Sequence, residues 1–125
     1  MEHETEPNQE IKVTPGRLPS AGTIEAFLNK ISALKGAVSV TLSGTPIHYE
    51  SWINVGERST PLKIQVQRAY IEMEEINDDR MQDVKDLCSE VFPYGFETEI
   101  GIFRPTKETL ASEHSRSFAR IDIVE

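Results

Sequence analysis

The residues with the clearest chemical potential lie in one short loop, residues 14–20 (TPGRLPS), between a predicted strand and a predicted helix. The first turn of a helix has free backbone N–H groups and a dipole that attract anions, and Arg17 can add a bidentate contact to a carboxylate. Against this, Pro15 and Pro19 each remove an amide donor. We therefore interpret the loop as either an anion-binding loop or a simple surface turn.

The side chains that commonly ligate metals or act as nucleophiles do not form a recognisable set. Cys88 is the one cysteine, which excludes an internal disulfide and a cysteine-ligated iron–sulfur cluster, and its apolar neighbours predict a core position. His3, His48 and His114 lack ligand-spaced partners, so neither a metal site nor a cofactor is predicted. Residues 72–79 are acidic but lack the alternation and the glycine of a calcium loop. No nucleophile–base pair is present, and the chain is predicted not to be an enzyme.

Length and charge restrict the class of protein. The chain has 125 residues, with 13 lysines and arginines against 21 aspartates and glutamates and a formal net charge of −8. This balance argues against binding to nucleic-acid phosphates or to an anionic membrane surface. No apolar run approaches the ~20 residues of a membrane span, and residues 1–4 (MEHE) lack the pattern of a secretory signal. With a single cysteine, these features predict one cytoplasmic domain.

Alternating apolar residues predict four core strands, over residues 11–13, 38–43, 62–73 and 96–102. Within the third strand the apolar phase shifts by one residue. A β-bulge near Gln67 and Arg68 would keep both halves of this strand on the same face of a sheet. Residues 44–61 contain proline and glycine breakers without a sustained period, and they are predicted to be a loop.

Two helices are predicted from apolar residues spaced three and four positions apart. Ser20 is expected to cap the first helix, and Asn77 or Asp78 the second. The expected inward-facing residues are Ile24, Phe27, Leu28, Ile31 and Leu34 in the first helix and Met81, Val84, Leu87, Cys88 and Val91 in the second.

The order strand, helix, strand, strand, helix, strand predicts an α+β fold. With right-handed crossovers it gives a ferredoxin-like βαββαβ arrangement, a four-stranded antiparallel sheet with both helices on one face. Residues 1–9 are predicted to be a disordered lead-in, residues 10–104 the core domain and residues 105–125 a polar tail. The second face of the sheet is expected to be open to solvent or to a partner, at Lys12, Ser39, Thr41, Gln65, Glu97 and Glu99.

Two motifs resemble a known family. Residues 88–96 (CSEVFPYGF), followed by residues 101–104 (GIFR), resemble the carboxy-terminal signature of the McrD family, operon protein D of methyl-coenzyme M reductase in methane-metabolising archaea. Residues 13–18 (VTPGRL), followed by TIE and LNK, are similar to the opening of that family. The resemblance extends over residues 10–112. The loop over residues 44–61 is shorter than usual in the family, and the chain beyond residue 114 looks like an extension.

The resemblance implies a non-catalytic accessory protein of methanogenesis. Such a chaperone would bind methyl-coenzyme M reductase and assist its assembly, activation or loading with the nickel tetrapyrrole cofactor, without a cofactor of its own. Loop aromatics are frequent anchors between proteins because they bury much area at small entropic cost, and Tyr94 and Trp52 are the two least easily buried here. Gly95 would permit the turn, and the arginines would supply charge-assisted contacts. The predicted partner-facing set is Arg17, Tyr94, Gly95, Phe103 and Arg104.

Two functions of other classes stay open. The first is a regulatory module, a homodimer that binds a small molecule between its two domains. The second is an enzyme that uses an anion site at Arg17, as acylphosphatases use an arginine-bearing loop at this place in the topology. The glycine-rich cradle and the catalytic asparagine of acylphosphatases have no clear counterpart in this chain.

Overall fold

The computed structural model describes residues 8–47, 51–103 and 117–122, and these form two helices and seven strands. The helices are α1 (Ala21–Ser32) and α2 (Asp78–Val91). The strands are β1 (Gln9–Pro15), β2 (Ala37–Pro46), β3 (Trp52–Val55), β4 (Arg58–Pro61), β5 (Ile64–Met73), β6 (Phe96–Gly101) and β7 (Ser117–Asp122).

Five of these strands form an antiparallel sheet in the order β6-β1-β5-β2-β7. The predicted α+β class, with two helices and an antiparallel sheet, is confirmed. The predicted ferredoxin-like sheet of four strands is wrong in strand count, and the strand order differs because β7 pairs with the outer side of β2. Residues 117–122, which the sequence placed in a polar tail, therefore belong to the sheet.

The helices cover one face of this sheet through the apolar stripes that the sequence indicates. Ile24, Phe27, Leu28 and Ile31 of α1 and Val84, Leu87 and Cys88 of α2 are buried in one core with apolar residues of β1, β2 and β5. Both predicted caps are confirmed, since Ser20 Oγ accepts a hydrogen bond from the Thr23 N–H at 3.2 Å and Asn77 Oδ1 accepts one from the Arg80 N–H at 2.9 Å. Each cap satisfies one N–H group that the first helical turn leaves unpaired.

The predicted bulge in β5 is confirmed by the pairing of β5 with β2. Ser43 lies opposite Arg68 and Gly44 lies opposite Val66, so that Gln67 is the extra residue on β5. The bulge places Ile64 and Val66 in the same core as Ala69, Ile71 and Met73. A side chain at Gly44 would overlap the backbone carbonyl of Gln65, because the two strands approach closely beside the bulge.

Residues 44–61, predicted to be a loop, instead contain a β-hairpin formed by β3 and β4. The hairpin packs on α1, with Ile53 in the core. Asn54 is held through its backbone: its N–H donates to Glu25 Oε1 at 2.7 Å, and its carbonyl accepts from Asn29 Nδ2 at 2.8 Å. Asn29 Oδ1 also accepts from the Gly56 N–H at 2.8 Å, which fixes the hairpin turn to the helix.

The second face of the sheet is only partly open. Glu97 and Glu99 of β6 are exposed as predicted. Ser39 and Thr41 are buried, which corrects the expectation that they face solvent or a partner. The physical reason is that β2 is an interior strand between β5 and β7, and the Ser39 hydroxyl donates to Glu72 Oε1 at 3.1 Å on this face.

We predict that Gly44→Ala lowers the free energy of unfolding by about 2 kcal/mol or more, because the new methyl group meets backbone that cannot rotate away. Urea unfolding followed by circular dichroism measures the change. Gly22→Ala is the matched control, since the new Cβ in α1 would have only Ser20 Oγ within 4 Å, at 3.9 Å. This control is expected to leave the stability equal or to raise it by up to about 1 kcal/mol. Equal stability of Gly44→Ala and the wild type would contradict the close packing at the bulge.

Candidate partner-binding site

The loop after β1 and the turn before β6 meet at one end of the sheet. The Gly16 N–H donates to the carbonyl oxygen of Gly95 at 2.8 Å, which extends the β1–β6 pairing by one residue. Gly95 has a φ of 112°, a backbone conformation that glycine adopts without the steric penalty of a Cβ. The predicted role of Gly95 in forming the turn agrees with this geometry. The two segments bring Arg17 and Tyr94 together although 77 positions separate them in the sequence (94 − 17).

A line of aromatic rings connects this surface with the core. The ring of Phe27 in α1 lies 5.5 Å from the ring of Phe92, and Phe92 lies 6.2 Å from the ring of Tyr94. Phe27 and Phe92 are fully buried, whereas Tyr94 is half-buried. The exposed Arg17 guanidinium lies over the outer side of this line, with Cζ 5.6 Å from the centre of the Tyr94 ring. Tyr94 is therefore oriented by contacts on both sides.

The loop over residues 14–20 contributes an arginine to a cation–aromatic contact and offers few backbone N–H groups for binding an anion. The backbone carbonyl of Pro19 accepts a hydrogen bond from Gln65 Nε2 at 2.9 Å, which ties the loop to β5. The Ser20 side chain uses the Thr23 N–H in the first turn of α1, and Pro15 and Pro19 have no N–H to offer. An anion near Arg17 would thus meet the guanidinium but few of the backbone donors that anion-binding loops provide.

Phe103 lies about 20 Å from this surface, at the other end of the six-residue strand β6. Its ring is half-buried, 5.5 Å from the ring of Tyr70 and 5.2 Å from Lys12 Nζ. The Phe103 N–H donates to Glu10 Oε1 at 2.6 Å, and Glu10 is buried. The structure thus brings together Arg17, Tyr94 and Gly95 and separates Phe103 from them, while Arg104 lies outside the described residues.

Several exposed apolar side chains belong to no predicted binding set. Leu18, beside Arg17, is 61% exposed, and Trp52 on β3 is 57% exposed. Ile100 and Ile102, which the alternation assigns to a core strand, are 45% and 53% exposed. The physical reason is that Ile100 belongs to the edge strand β6 and Ile102 follows it. Alternation alone does not distinguish an edge strand from a central one, so the sequence gives no signal for this exposure.

The described part of the chain contains no group of three or more histidine, cysteine, aspartate or glutamate side chains placed to hold a metal ion. His3, His48 and His114 lie outside it. Cys88 is buried as predicted, and this burial raises the pKa of its thiol to about 12. Neither α1 nor α2 is long and apolar enough to cross a lipid bilayer.

Fold and site together define a small α+β domain with an ordered cation–aromatic surface at one end of its antiparallel sheet. Residues 42–118 match the family model described as methyl-coenzyme M reductase operon protein D. A protein of that name from Methanothermus fervidus is 30% identical over 106 residues, which cover 81% of this chain and 79% of the relative. The chain belongs to the methyl-coenzyme M reductase operon protein D family.

Further relatives agree with this assignment. The methyl-coenzyme M reductase I operon protein D of Methanothermobacter marburgensis is 25% identical over 109 residues, which cover 83% of this chain and 74% of the relative. The protein with the same description from Methanocaldococcus jannaschii is 28% identical over 115 residues, with coverage of 78% and 70%. The family resemblance expected from the sequence motifs is confirmed. By its name the family is an operon protein of the reductase and not one of its catalytic subunits.

The high pKa of Cys88 predicts an unreactive thiol. Because the thiolate is the reacting form, the native protein at pH 8 is expected to react with Ellman's reagent at least about 100-fold more slowly than the protein unfolded in urea. The rate of the native protein should rise about tenfold per pH unit and should level off only near pH 12, because the thiolate fraction grows in this way below the pKa. Stopped-flow absorbance measures both rates. A fast reaction of the native chain at pH 8 would show that α2 opens readily and that Cys88 is not a stable core residue.

Proposed function

We propose that this chain is a non-catalytic accessory protein that binds methyl-coenzyme M reductase in the cytoplasm of a methanogen. The proposal includes the finer role that the family resemblance implies, which is assistance in assembly, in activation or in loading of the nickel tetrapyrrole cofactor. The observation that carries the proposal is the ordered surface of Arg17, Tyr94 and Gly95 in a member of this family. Its aromatic and arginine side chains are the types that most often dominate binding energy between proteins.

The charge of the chain supports a protein partner in preference to a nucleic acid. A formal net charge of −8 repels phosphates over the whole surface, and the one arginine at this site is placed on an aromatic ring. In the proposed complex, Tyr94 inserts as an anchor into a pocket of the reductase, and Arg17 forms a hydrogen-bonded contact with a carboxylate at its rim. The exposed Leu18 adds apolar area next to the arginine.

We expect Tyr94→Ala to weaken binding to the purified reductase at least about tenfold, because the ring supplies buried area at the centre of the contact. Biolayer interferometry with reductase that lacks its nickel cofactor measures the dissociation constant. Tyr94→Phe keeps the ring and is expected to bind within about threefold of the wild type. Tyr94→Phe should melt like the wild type, and Tyr94→Ala should keep a cooperative melt at a lower temperature, because it loses the packing of the half-buried ring on Phe92. Loss of the cooperative melt in Tyr94→Ala would show that Tyr94 is a core residue and would contradict the anchor.

Arg17→Ala is expected to weaken the same complex about three- to tenfold, since a rim contact between charges contributes less than a buried anchor. Lys35→Ala is the matched control, because Lys35 is an exposed cation beyond the C-terminal end of α1. Equal binding of Arg17→Ala and Lys35→Ala would remove Arg17 from the site. If the wild-type chain fails to bind the reductase and forms a dimer whose melting temperature rises with a metabolite, the regulatory alternative replaces the proposed function.

A further inference from the structure

Within the described residues, the outer edge of β6 has a regular row of backbone groups that pair with no other strand. In an antiparallel pair, alternate residues direct both backbone polar groups toward the same neighbouring strand. The Gly16 N–H points to Gly95, so the residues of β1 that face β6 are Thr14, Lys12 and Glu10. Their partners Glu97, Glu99 and Gly101 use their backbone groups toward β1. The N–H and C=O groups of Phe96, Thr98 and Ile100 therefore point away from the sheet, where the described residues place no further strand.

The side chains along this edge separate into an acidic row and a less polar row. Glu97 and Glu99 lie on the face away from the helices and are exposed, and Glu99 forms an ion pair with Lys12 at 3.0 Å. Within the described part of the chain, the carboxylate of Glu97 has no ionic or hydrogen-bonded partner. On the opposite face, Ile100 is 45% exposed. An added strand would thus meet a free negative charge on one face and an apolar side chain on the other.

A small polar groove lies beside the acidic row. It has a volume of about 100 Å³ and is lined by Lys12, Thr14, Glu97, Thr98 and Glu99. Since Lys12 is neutralised by Glu99, the remaining charge in the groove is that of Glu97. The groove suits the end of a lysine or arginine side chain that reaches in from the edge of the sheet.

We propose that the free edge of β6 binds an extended strand of the partner protein whose side chains alternate between basic and apolar residues. The basic residue pairs with Glu97, the apolar residue covers Ile100, and the backbone groups of Thr98 and Ile100 form ladder hydrogen bonds with the added strand. This inference rests on the proposed function, because Tyr94 and Gly95 immediately precede β6 and one partner can cover both features. In this complex the side chain of Tyr94 at the turn binds the partner, and the backbone of β6 fixes the orientation of the partner strand.

A second copy of this chain fits the edge poorly. Pairing β6 with itself would bring the acidic rows of two chains together, each with a formal net charge of −8. Acidic side chains on an edge strand thus disfavour self-association while they leave a basic partner strand acceptable.

Hydrogen–deuterium exchange with the full chain and purified methyl-coenzyme M reductase tests the inference. In the complex, exchange in peptides that cover β6 should slow at least about tenfold for the amides of Thr98 and Ile100. The amides of Glu97 and Glu99 are already bonded to β1 and should change little. Binding without this protection overturns the strand addition and leaves the proposed function intact, whereas failure of the wild type to bind overturns both. Protection that appears at high concentration without reductase assigns the edge to a second copy and also overturns the inference.

Substitutions separate the charge from the backbone contribution. Glu97→Lys should weaken binding to the reductase about tenfold. Glu74→Lys, the same change of charge at the exposed residue that follows β5, should leave binding within about twofold. Thr98→Pro removes an outward N–H without removing a bond to β1, and it should weaken binding and abolish the protection. If Thr98→Pro does not fold, Glu97→Lys and the exchange experiment still decide the question. Equal effects of Glu97→Lys and Glu74→Lys would overturn the inference.

Discussion

The rest of the structure depends on one extra residue in β5. Successive side chains of a strand point to opposite faces, so without the bulge at Gln67 the two apolar halves of β5 would face opposite sides of the sheet. With the bulge, the side chains of Ile64 and Val66 lie in the same core as those of Ile71 and Met73, under the helices. The sheet face that the helices cover is therefore apolar along both halves of β5. The bulge also requires a neighbouring strand without a side chain, which Gly44 provides. A local irregularity thus makes it possible for a single core to extend from the hairpin to α2.

The candidate binding surface is a consequence of how this core ends. Phe27 and Phe92 are core residues, and the ring line continues from them to Tyr94 and Arg17 at the surface. The same turn starts β6, an edge strand whose one neighbour among the described residues is β1. The Tyr94 ring and a strand edge that no other described strand covers are therefore adjacent, because both follow from the position of one turn. This arrangement places outward-pointing backbone groups and an aromatic side chain together in a small region of a domain with a formal net charge of −8.

Much of the architecture could be predicted from short-range patterns. Apolar spacing identified both helices, Ser20 and Asn77 identified their caps, and the phase shift identified the bulge. The hairpin was missed because prolines and glycines interrupt residues 44–61, although Gly56 in a two-residue turn between alternating segments is a hairpin signal.

The features that the sequence did not predict depend on contacts between residues far apart in the chain. The addition of β7 to β2 and the burial of Ser39 follow from such contacts. At the candidate site, the types of residue could be predicted, whereas the stacking of Arg17 on Tyr94 and the separation of Phe103 required the sheet register.

The place of β7 also has a consequence for how the chain folds. Gly44 pairs with Ser117 across 73 positions (117 − 44), a separation that among the described strands only the β1–β6 pairing exceeds, so this contact has a large entropic cost. Because β7 has one neighbour, β2, among the described strands, its docking is expected to be a late step of folding and its release an early one on unfolding.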